Sequence, residues 1–553
     1  MDLNVRIAGE AGQGVQTAGN LLAQVLAHMG LHVAATQSYM SRIRGGLNWY
    51  DVRLGDEPLF AGRDRANVLV ALTDAALEFL REDVEEGGAV LFDGEDREDA
   101  ICLDLAQAAV DAGGSKVMAN TVAVAAVLRV LGYDVEALCD FLADSFAKKG
   151  KEVVEKNVAC ARKGAELAEA HAGSVAGPEP VGAPNVCTSG AEASGLAAAT
   201  AGVKFAAAYP MTPGTATFAY LAGAAEKYGI VVEQAEDEIA AINMVCGACY
   251  AGVPALVSTS GGGFALMAEG VSLAGMLELP AVIVIAQRPG PATGLPTRTA
   301  QEDLLFALHA GHGEFPRAIF APGTVEQVYE LTRRALQTAH RFQTPAILLT
   351  DQFLQDLQTN CEPLDETYQP IDRCLTEAGE DYKRYALTDD GVSPRAIPGR
   401  EAFVVADSDE HDEDGHLTED LQVHLAQTDK RLRKHEGLAA EALPPQRYGP
   451  DDADTLLVCW GSTYGPCREA VDRLNADGDS AAMLHFAQVW PVAADATAKA
   501  LQGASRVCVV EGNQTAQFAS LLRRLGLPGD CETVLRYDGL PFTAEFICRE
   551  VRS

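Results

Sequence analysis

Positive charge is scarce in this sequence. The chain has 43 lysines and arginines against 78 aspartates and glutamates, a formal net charge of −35 at pH 7. A surface this acidic repels phosphate groups, so the composition argues against nucleic acid and against an anionic membrane as partners. An acidic protein partner would need a basic docking patch, which this composition is poorly suited to provide.

Long apolar runs and a secretion signal are also lacking. The sequence contains no stretch of 18 apolar residues free of charge, the minimum for a membrane-spanning helix. Its first residues, "MDLNVRIAGEAGQGV", do not show the charged and then apolar pattern of a signal peptide. We therefore expect a cytoplasmic protein.

The thirteen cysteines do not form a metal-binding or cluster-binding set. Only Cys246 and Cys249 have CxxC spacing, and they lie in an apolar segment with helical periodicity, which predicts core packing. His411 and His416 stand in the acidic run "DEHDEDGHLTED". A run of this polarity predicts a solvated loop rather than a metal site.

The chain does have the length and the pattern of a multi-domain α/β protein. At about 150 residues a domain, 553 residues make roughly three to four domains. Short apolar runs alternate with helical segments, which predicts mostly parallel sheets. Composition shifts place the boundaries at 1–172, a Gly/Pro-rich linker at 173–190, a second domain at 191–357, a charged connecting segment at 358–450 and a last domain at 451–553.

Two motifs stand out near the start of the chain. "GEAGQGV", from Gly9 to Val15, follows a predicted strand and opens a predicted helix. Its G-x-x-G-x-G spacing fits either a phosphate held at a helix start or a plain tight turn. Arg42 and Arg44 precede Gly45 and Gly46, as a solvated turn or as an anion or subunit contact.

The segment "YPMTPGT" stiffens the backbone directly after a buried strand. Pro210 and Pro213 restrict the two residues between them, Met211 and Thr212. Thr212 could cap the following helix. It could equally present its hydroxyl to a ligand at the carboxyl end of a strand, where open α/β sheets bind ligands.

Three further features follow predicted strands in the same domain. Glu238 enters an apolar helix, where a carboxylate is costly unless it has a partner. The glycines after Ser260 allow close approach of the backbone. Arg288 and Thr297 lie in a Gly/Pro-rich loop, and the fork of an arginine suits a carboxylate. One small anionic substrate could meet Thr212, the Ser/Thr-Gly loop at Ser260, and Arg288 with Thr297, while Glu238 could bind a cofactor nitrogen.

These motifs resemble a known family. "YPMTPGT", "EDEIAAI", "TSGGGFALMAEG", "QRPGPATGLPT" and "VEGNQTAQ" together resemble the α subunit of the 2-oxoacid:ferredoxin oxidoreductases. "AGEAGQGV" and "SYMSRIRGG" resemble the family's γ domain, here fused at the N-terminus. The resemblance implies a γ-type α/β domain, a doubly wound domain that binds the pyrimidine half of thiamine diphosphate, and a C-terminal transketolase-C-like α/β domain.

The resemblance also assigns roles to residues. The family decarboxylates a 2-oxoacid with thiamine diphosphate, passes electrons singly to iron–sulfur clusters and transfers the acyl group to coenzyme A. Glu238 matches the glutamate that bonds the aminopyrimidine N1′, and Ser260 and Gly261 are predicted to bind the same cofactor. Thr212 and Arg288 match the residues that meet the keto group and the carboxylate of the substrate. Thr297 matches a further substrate-side hydroxyl.

A partner is implied by what the chain does not contain. The Gly-Asp-Gly and later Asn that hold Mg²⁺ and the diphosphate in this class are not found in the sequence. The resemblance therefore places Mg²⁺ and a 4Fe–4S cluster on a β subunit, within an (αβ)2 assembly that reduces ferredoxin. The fused γ-type domain would help to enclose coenzyme A.

The substrate and the direction of the reaction stay open at this point. The γ–α fusion and "SRIRGG" are most similar to members that act on 2-oxoglutarate or on a broad range of 2-oxoacids. Pyruvate or a branched-chain 2-oxoacid, a non-catalytic homologous subunit and a non-oxidative thiamine enzyme are the alternatives. Oxidative decarboxylation and reductive carboxylation would use the same residues.

Overall fold

Strands and helices alternate along most of the chain. The computed structural model describes residues 1–41, 45–95, 97–184, 186–400, 402–527 and 531–553. These form two units, which we describe separately. The first is Met1–Ser189 with Asp356–Pro363 and Thr543–Glu545; the second is Gly190–Gln355, Leu364–Phe542 and Phe546–Ser553.

The elements up to residue 189 are short strands with six helices among them. The strands are β1 (Asp2–Glu10), β2 (His32–Ser38), β3 (Leu47–Gly55), β4 (Ala66–Ala71), β5 (Val84–Asp93), β6 (Ile101–Leu103) and β7 (Val186–Ser189). The helices are α1 (Val15–His28), α2 (Asp74–Leu80), α3 (Leu105–Asp111), α4 (Ala119–Val130), α5 (Glu136–Phe146) and α6 (Lys151–Leu167).

The elements from residue 190 to 361 alternate strictly at first. They are α7 (Gly190–Thr200), β8 (Phe205–Ala208), α8 (Thr215–Tyr228), β9 (Val231–Gln234), α9 (Glu238–Tyr250), β10 (Ala255–Thr259), α10 (Gly261–Leu266), α11 (Ala268–Met276), β11 (Val282–Gln287), α12 (Leu304–His309), β12 (Ala318–Phe320), α13 (Val325–Phe342), β13 (Ala346–Asp351), α14 (Gln352–Asp356) and β14 (Gln358–Cys361).

The remaining elements follow the segment 362–420, in whose described residues no helix or strand is formed. They are α15 (Leu421–Ala440), β15 (Gln446–Tyr448), β16 (Thr455–Trp460), α16 (Tyr464–Ala476), β17 (Ala481–Phe486), β18 (Gln488–Trp490), α17 (Ala494–Ala500), β19 (Arg506–Glu511), α18 (Gln517–Arg524), β20 (Glu532–Leu535) and α19 (Ala544–Arg552). None of the described helices combines the length and the apolar character needed to cross a membrane.

The sheet of the first unit is mixed, so the prediction of a mostly parallel sheet is wrong here. Its strand order is β6-β5-β4-β1-β3-β2-β14-β7. Strand β3 pairs antiparallel with both β1 and β2. The connection from β2 to β3 is too short for the crossover of about a dozen residues that a parallel pair needs, so the two strands form a hairpin.

The predicted linker and connecting segment both contribute to this sheet. Strand β7 occupies the end of the predicted linker, and helix α7 starts at Gly190. Strand β14, in the predicted connecting segment, pairs antiparallel with β2 and with β7. Short strands of this kind carry little sequence signal, because their partners are far away in the chain.

The second unit contains two sheets. The seven-stranded sheet has the order β18-β12-β13-β11-β10-β8-β9, and its strands from β12 to β9 are parallel. Strand β18 adds antiparallel at the β12 edge. The five-stranded sheet has the order β15-β17-β16-β19-β20. Apolar runs such as β11 are buried at every position, as parallel strands covered on both faces require.

Helix α15 is fixed by a buried ion cluster that the charged sequence of this segment did not reveal. Lys430 Nζ lies 2.6 Å from Glu278 Oε1, and Lys434 pairs with the other carboxylate oxygen. Burial opposes the charge of Glu278, but Lys434, Lys430 and Arg384 together hold the pKa of this carboxyl well below its usual range. One acid thereby neutralises part of the charge of two buried lysines.

The acidic histidine run is less exposed than predicted. His411 is 0% exposed, and its ring packs on Tyr385 with centroids 4.0 Å apart. The prediction of a solvated loop is therefore wrong at His411. Among the described residues, no group of three or more His, Cys, Asp or Glu side chains is arranged to hold a metal ion.

Candidate active site

The sheet order of the second unit brings the predicted site residues to one edge. Strands β11, β10, β8 and β9 are neighbours and run parallel, so their carboxyl ends lie side by side. The turn containing Thr212 follows β8, Glu238 follows β9, Ser260 follows β10 and Arg288 follows β11. This is the edge at which open α/β sheets bind ligands.

Thr212 and Arg288 meet directly. The Arg288 guanidinium Nη1 donates a hydrogen bond of 2.6 Å to the Thr212 carbonyl oxygen. Helix α8 begins only at Thr215, and its N-cap residue Gly214 makes no side-chain cap, so Thr212 does not cap this helix. The Thr212 turn lies against the end of β10, since a Cβ at Gly214 would be 2.5 Å from the Thr259 carbonyl oxygen.

Glu238 is a buried acid with an unsatisfied oxygen. It is the first residue of α9, and the helix is capped by its neighbour Asp237, which accepts a 2.6 Å bond from the Ala240 N–H. Glu238 is 2% exposed, and its Oε1 has no hydrogen-bond partner among the described residues. Burial, with the Asp237 charge as a lesser cause, raises the pKa of this carboxyl.

The end of β10 and the first turn of α10, Ser258–Gly263, which we call the glycine loop, let side chains approach the backbone closely. A Cβ at Gly263 would lie 2.6 Å from Glu238 Oε1 and 2.2 Å from Thr259 Oγ1. The hydroxyl oxygens of Ser258, Thr259 and Ser260 are buried, and they too lack partners in the described part of the chain. Unsatisfied buried oxygens are rare in folded proteins, and several together on one loop indicate a place for a bound polar group.

Asp303 belongs to the same group and was not predicted. A Cβ at Gly261 would lie 2.1 Å from Asp303 Oδ2, so this carboxyl rests on the glycine loop as well. Burial, with the charge of Glu302 adding to it, raises the pKa of Asp303 to about 7, although Arg288 opposes the shift. The sequence signal, an acid just before the apolar run "LLFALH", is typical of an ordinary helix cap.

The other predicted residues lie in the Arg288 loop, in α9 or outside the described residues. Thr297 is 8% exposed and lies in the loop that begins at Arg288. Arg42 and Arg44 lie outside the described residues. Cys246 and Cys249 are buried in α9, and burial raises the pKa of both thiols to about 12, in keeping with the predicted core role.

The "VEGNQTAQ" loop forms hydrogen bonds within the chain. Glu511 and Asn513 are 0% and 1% exposed. Gln301 joins this loop through three hydrogen bonds of 2.7–3.0 Å, to Gly512 and Asn513, and its side-chain amide donates a fourth bond of 2.8 Å to the Trp460 carbonyl oxygen. The loop therefore fixes the end of the segment that carries Arg288 and Asp303.

The first unit contains a large cavity of about 1000 Å³. The turn Gly12–Gly14 lines it, with φ angles of 97° and 80° at the two glycines that other residues rarely adopt. One face of α1 supplies Thr17 and Asn20, and Lys116 and Lys149 also line the cavity. The glycine turn predicted from the sequence thus opens onto space for a sizeable ligand.

The buried oxygens of the second unit fit the cofactor expected from the resemblance. Within the described part of the chain Glu238 Oε1 has no hydrogen-bond partner, as expected of an acid that binds a nitrogen of a bound ring. Ser260 and Gly261 stand at the start of α10, shortly before Gly263, whose backbone lies against Glu238.

Three family models match the chain in order. Residues 4–167 match "Pyruvate ferredoxin/flavodoxin oxidoreductase". Residues 196–430 match "Pyruvate flavodoxin/ferredoxin oxidoreductase, thiamine diP-bdg". Residues 453–524 match "Pyruvate:ferredoxin oxidoreductase core domain II".

Individual relatives cover nearly the whole chain. The 2-oxoacid:ferredoxin oxidoreductase 1 subunit alpha of Aeropyrum pernix is 30% identical, over 94% of this chain and 92% of the relative. The 2-oxoglutarate oxidoreductase subunit KorA of Mycobacterium tuberculosis is 28% identical over 99% and 91%. A solved structure, the 2-oxoglutarate:ferredoxin oxidoreductase of Magnetococcus marinus with 2-oxoglutarate, coenzyme A and succinyl-CoA bound, is 33% identical, covers 100% of this chain and 99% of that one, and superposes with a TM-score of 0.92. The chain therefore belongs to the alpha subunits of the 2-oxoacid:ferredoxin oxidoreductases.

Proposed function

We propose that this chain is the alpha subunit of a 2-oxoglutarate:ferredoxin oxidoreductase. With coenzyme A it would convert 2-oxoglutarate to an acyl-CoA and carbon dioxide, or run the reverse carboxylation. The observation that carries the proposal is the pairing of an unsatisfied buried acid, Glu238, with the Arg288–Thr212 contact at neighbouring strand ends. The similarity to the Magnetococcus marinus enzyme, whose structure contains 2-oxoglutarate, favours that substrate.

The residues of the site divide into two groups by what they would hold. Thiamine diphosphate, when bound, supplies a carbon nucleophile for the keto carbon and accepts the charge left by departing carbon dioxide. Glu238 Oε1 would hold the proton shared with the pyrimidine N1′, and the raised pKa of this carboxyl favours that role. Ser260 and Gly261 would pack against the same ring.

The substrate would be bound by the second group. Arg288 carries a positive charge with two directed donors, which suits the carboxylate next to the keto group. Its bond to the Thr212 carbonyl fixes the guanidinium against the turn, so the Thr212 hydroxyl would lie on the same side as the carboxylate. Thr297 would complete the substrate side from the Arg288 loop.

A beta subunit would supply what this chain does not. The proposal places the diphosphate, Mg²⁺ and a 4Fe–4S cluster on that subunit, in an (αβ)2 assembly in the cytoplasm that passes electrons to ferredoxin. The net charge of −35 favours placing the docking surface for an acidic ferredoxin on the partner.

The test is activity of the complex with its native beta subunit, purified without oxygen. Viologen reduction is followed with coenzyme A, thiamine diphosphate and a panel of 2-oxoglutarate, pyruvate and 2-oxoisovalerate. We expect the highest kcat/KM with 2-oxoglutarate. A preference for another 2-oxoacid would correct the substrate, and no turnover with any of them, with iron present, would indicate a non-catalytic subunit.

We further propose that coenzyme A binds in the cavity of the first unit. Its volume of about 1000 Å³ is at the upper end of ligand pockets, which measure about 300–1,000 Å³. The N–H groups at the start of α1 and the ammonium groups of Lys116 and Lys149 would suit phosphates.

Charge reversal at Lys149 tests this placement. Lys149→Glu is expected to raise the KM for coenzyme A about tenfold, corresponding to about 1.4 kcal/mol, and to leave the KM for the 2-oxoacid unchanged. Lys148→Glu is the matched control, because Lys148 is equally exposed but does not line the cavity. An equal effect of the two variants would show only a general loss of charge attraction and would contradict the placement.

A further inference from the structure

Two buried acids rest on the glycine loop from opposite ends. Glu238 lies against Gly263, and the Asp303 carboxyl lies against Gly261, two residues away. The mechanism above uses Glu238 and leaves Asp303 without a role. Asp303 Oδ2 is buried and has no hydrogen-bond partner within the described residues. The residue belongs to the loop that begins at Arg288, the proposed partner of the substrate carboxylate.

Helix capping does not explain Asp303. The residue stands at the N-cap position of α12, yet its side chain makes no capping bond. The backbone of Asp303 forms the hydrogen bonds at this position. Its N–H donates a bond of 2.9 Å to Gln287 Oε1, and its carbonyl oxygen accepts a bond of 2.8 Å from the Ala307 N–H. A capping aspartate normally accepts from the second or third N–H of its helix, so this carboxyl faces away from the usual partners.

Three charged residues lie near Asp303 or on the same glycine loop. Arg288, in the loop after β11, attracts its negative charge, and Glu302, next to it in the chain, repels it. Glu238 on α9 stands beyond Gly263, at the far end of the glycine loop. Burial also lowers the pKa of Arg288, and the negative charge of Asp303 opposes this shift. Arg288 and Asp303 therefore stabilise each other's charge in the free site.

We propose that Asp303 is a positioning residue that balances the charge of Arg288 in the free site and takes up a proton from solvent when a substrate carboxylate pairs with Arg288. The inference rests on the proposed function. Before binding, the site contains the positive charge of Arg288 and the negative charge of Asp303, which attract each other. After binding, the added carboxylate and the added proton leave the net charge of the site as it was.

The physical reason is repulsion between two carboxylates beside one guanidinium. In a poorly hydrated site like charges at short range cannot both stay ionised, and one of them is protonated. Asp303 is prepared for this, because its pKa is already raised to about 7 in the free protein. Once neutral, its O–H becomes a donor and no longer competes for Arg288.

The consequence is a pH-dependent affinity. Above the pKa of Asp303 in the free site each binding event must also take up a proton, so the KM for 2-oxoglutarate rises by up to about tenfold per pH unit. Asp303→Asn keeps the shape of the residue in its neutral form. In this variant we expect a KM that stays nearly constant from about pH 7 to pH 9, with the pH dependence of kcat retained.

Glu302→Gln is the matched control. It removes the neighbouring charge that raises the pKa of Asp303, so the rise in KM should persist and begin at a lower pH. An Asp303→Asn enzyme whose KM rises with pH as steeply as that of the wild type would overturn the inference.

A second measurement needs only the wild-type complex. It is stripped of thiamine diphosphate, and 2-oxoglutarate is titrated calorimetrically at about pH 8 in two buffers with different heats of ionisation. We expect uptake of close to one proton per bound 2-oxoglutarate, and binding without proton uptake would refute the role of Asp303. Failure of the proposed function would look different, since the untreated complex would then reduce no viologen with any 2-oxoacid.

Discussion

The Glu238→Gln enzyme is expected to lose activity by about 10²–10⁴-fold in kcat, the range typical of a lost acid–base group. Glutamine has nearly the same size and keeps the packing against Gly263, where an alanine would leave a cavity. It cannot exchange a proton at Oε1, the buried oxygen that is left without a partner in the described chain. The expected defect is therefore in turnover and not in folding.

Viologen reduction at saturating thiamine diphosphate and 2-oxoglutarate measures this loss. Glu236→Gln is the matched control, because Glu236 is exposed two residues earlier and should be replaceable without effect. Thermal unfolding of both variants should stay close to that of the wild type. A Glu238→Gln enzyme with wild-type turnover would remove Glu238 from the mechanism.

Replacing Arg288 by alanine should act on substrate binding. Removing one partner of a buried, hydrogen-bonded charge pair costs about 2–5 kcal/mol, so we expect the KM for 2-oxoglutarate to rise by about 10²–10³-fold. Lysine at this position keeps the charge but loses the two directed donors of the guanidinium. The KM of Arg288→Lys should therefore lie between the KM of the wild type and that of Arg288→Ala. The bond to the Thr212 carbonyl is lost in the alanine variant, so kcat should fall as well.

Steady-state kinetics with varied 2-oxoglutarate separates these two effects. Arg341→Ala is a suitable control, since the Arg341 side chain is 59% exposed and pairs with Glu441 at the surface. Its KM should match that of the wild type. If Arg288→Ala leaves the KM unchanged, the substrate carboxylate is bound by other residues.

The site residues could be predicted because their signals are local. Strands such as "PAVIVIA" are apolar throughout, and the polar residue that ends each run must lie at one edge of a parallel sheet. Thr212, Glu238, Ser260 and Arg288 follow from this reasoning alone, and the structure places all four at neighbouring strand ends. Their roles in catalysis were inferred from the resemblance and stay predictions.

The features that were missed depend on partners far away in the chain. Asp303 has the local pattern of a helix cap, and only its contact with Gly261, 42 positions earlier, shows otherwise. Glu278 is joined to Lys430 across 152 positions, so a charged segment predicted to be a connection turns out to be fixed in the interior. The hairpin of β2 and β3 was missed because the alternation of apolar runs and helical segments predicted parallel strands, and the antiparallel pairing of β3 with β1 and β2 has no local signal.

Strand β14 determines when the sheet of the first unit can be completed during synthesis. The first unit has its β7 strand by residue 189, but in the sheet β7 is joined to β2 only through β14, at Gln358–Cys361. A ribosome must therefore make most of the following domain before the earlier sheet is complete, and until then the β2 edge stays unpaired. A gene fragment that ends near residue 189 would encode a protein with an open sheet edge, so the first unit cannot be separated from the rest by a single cut.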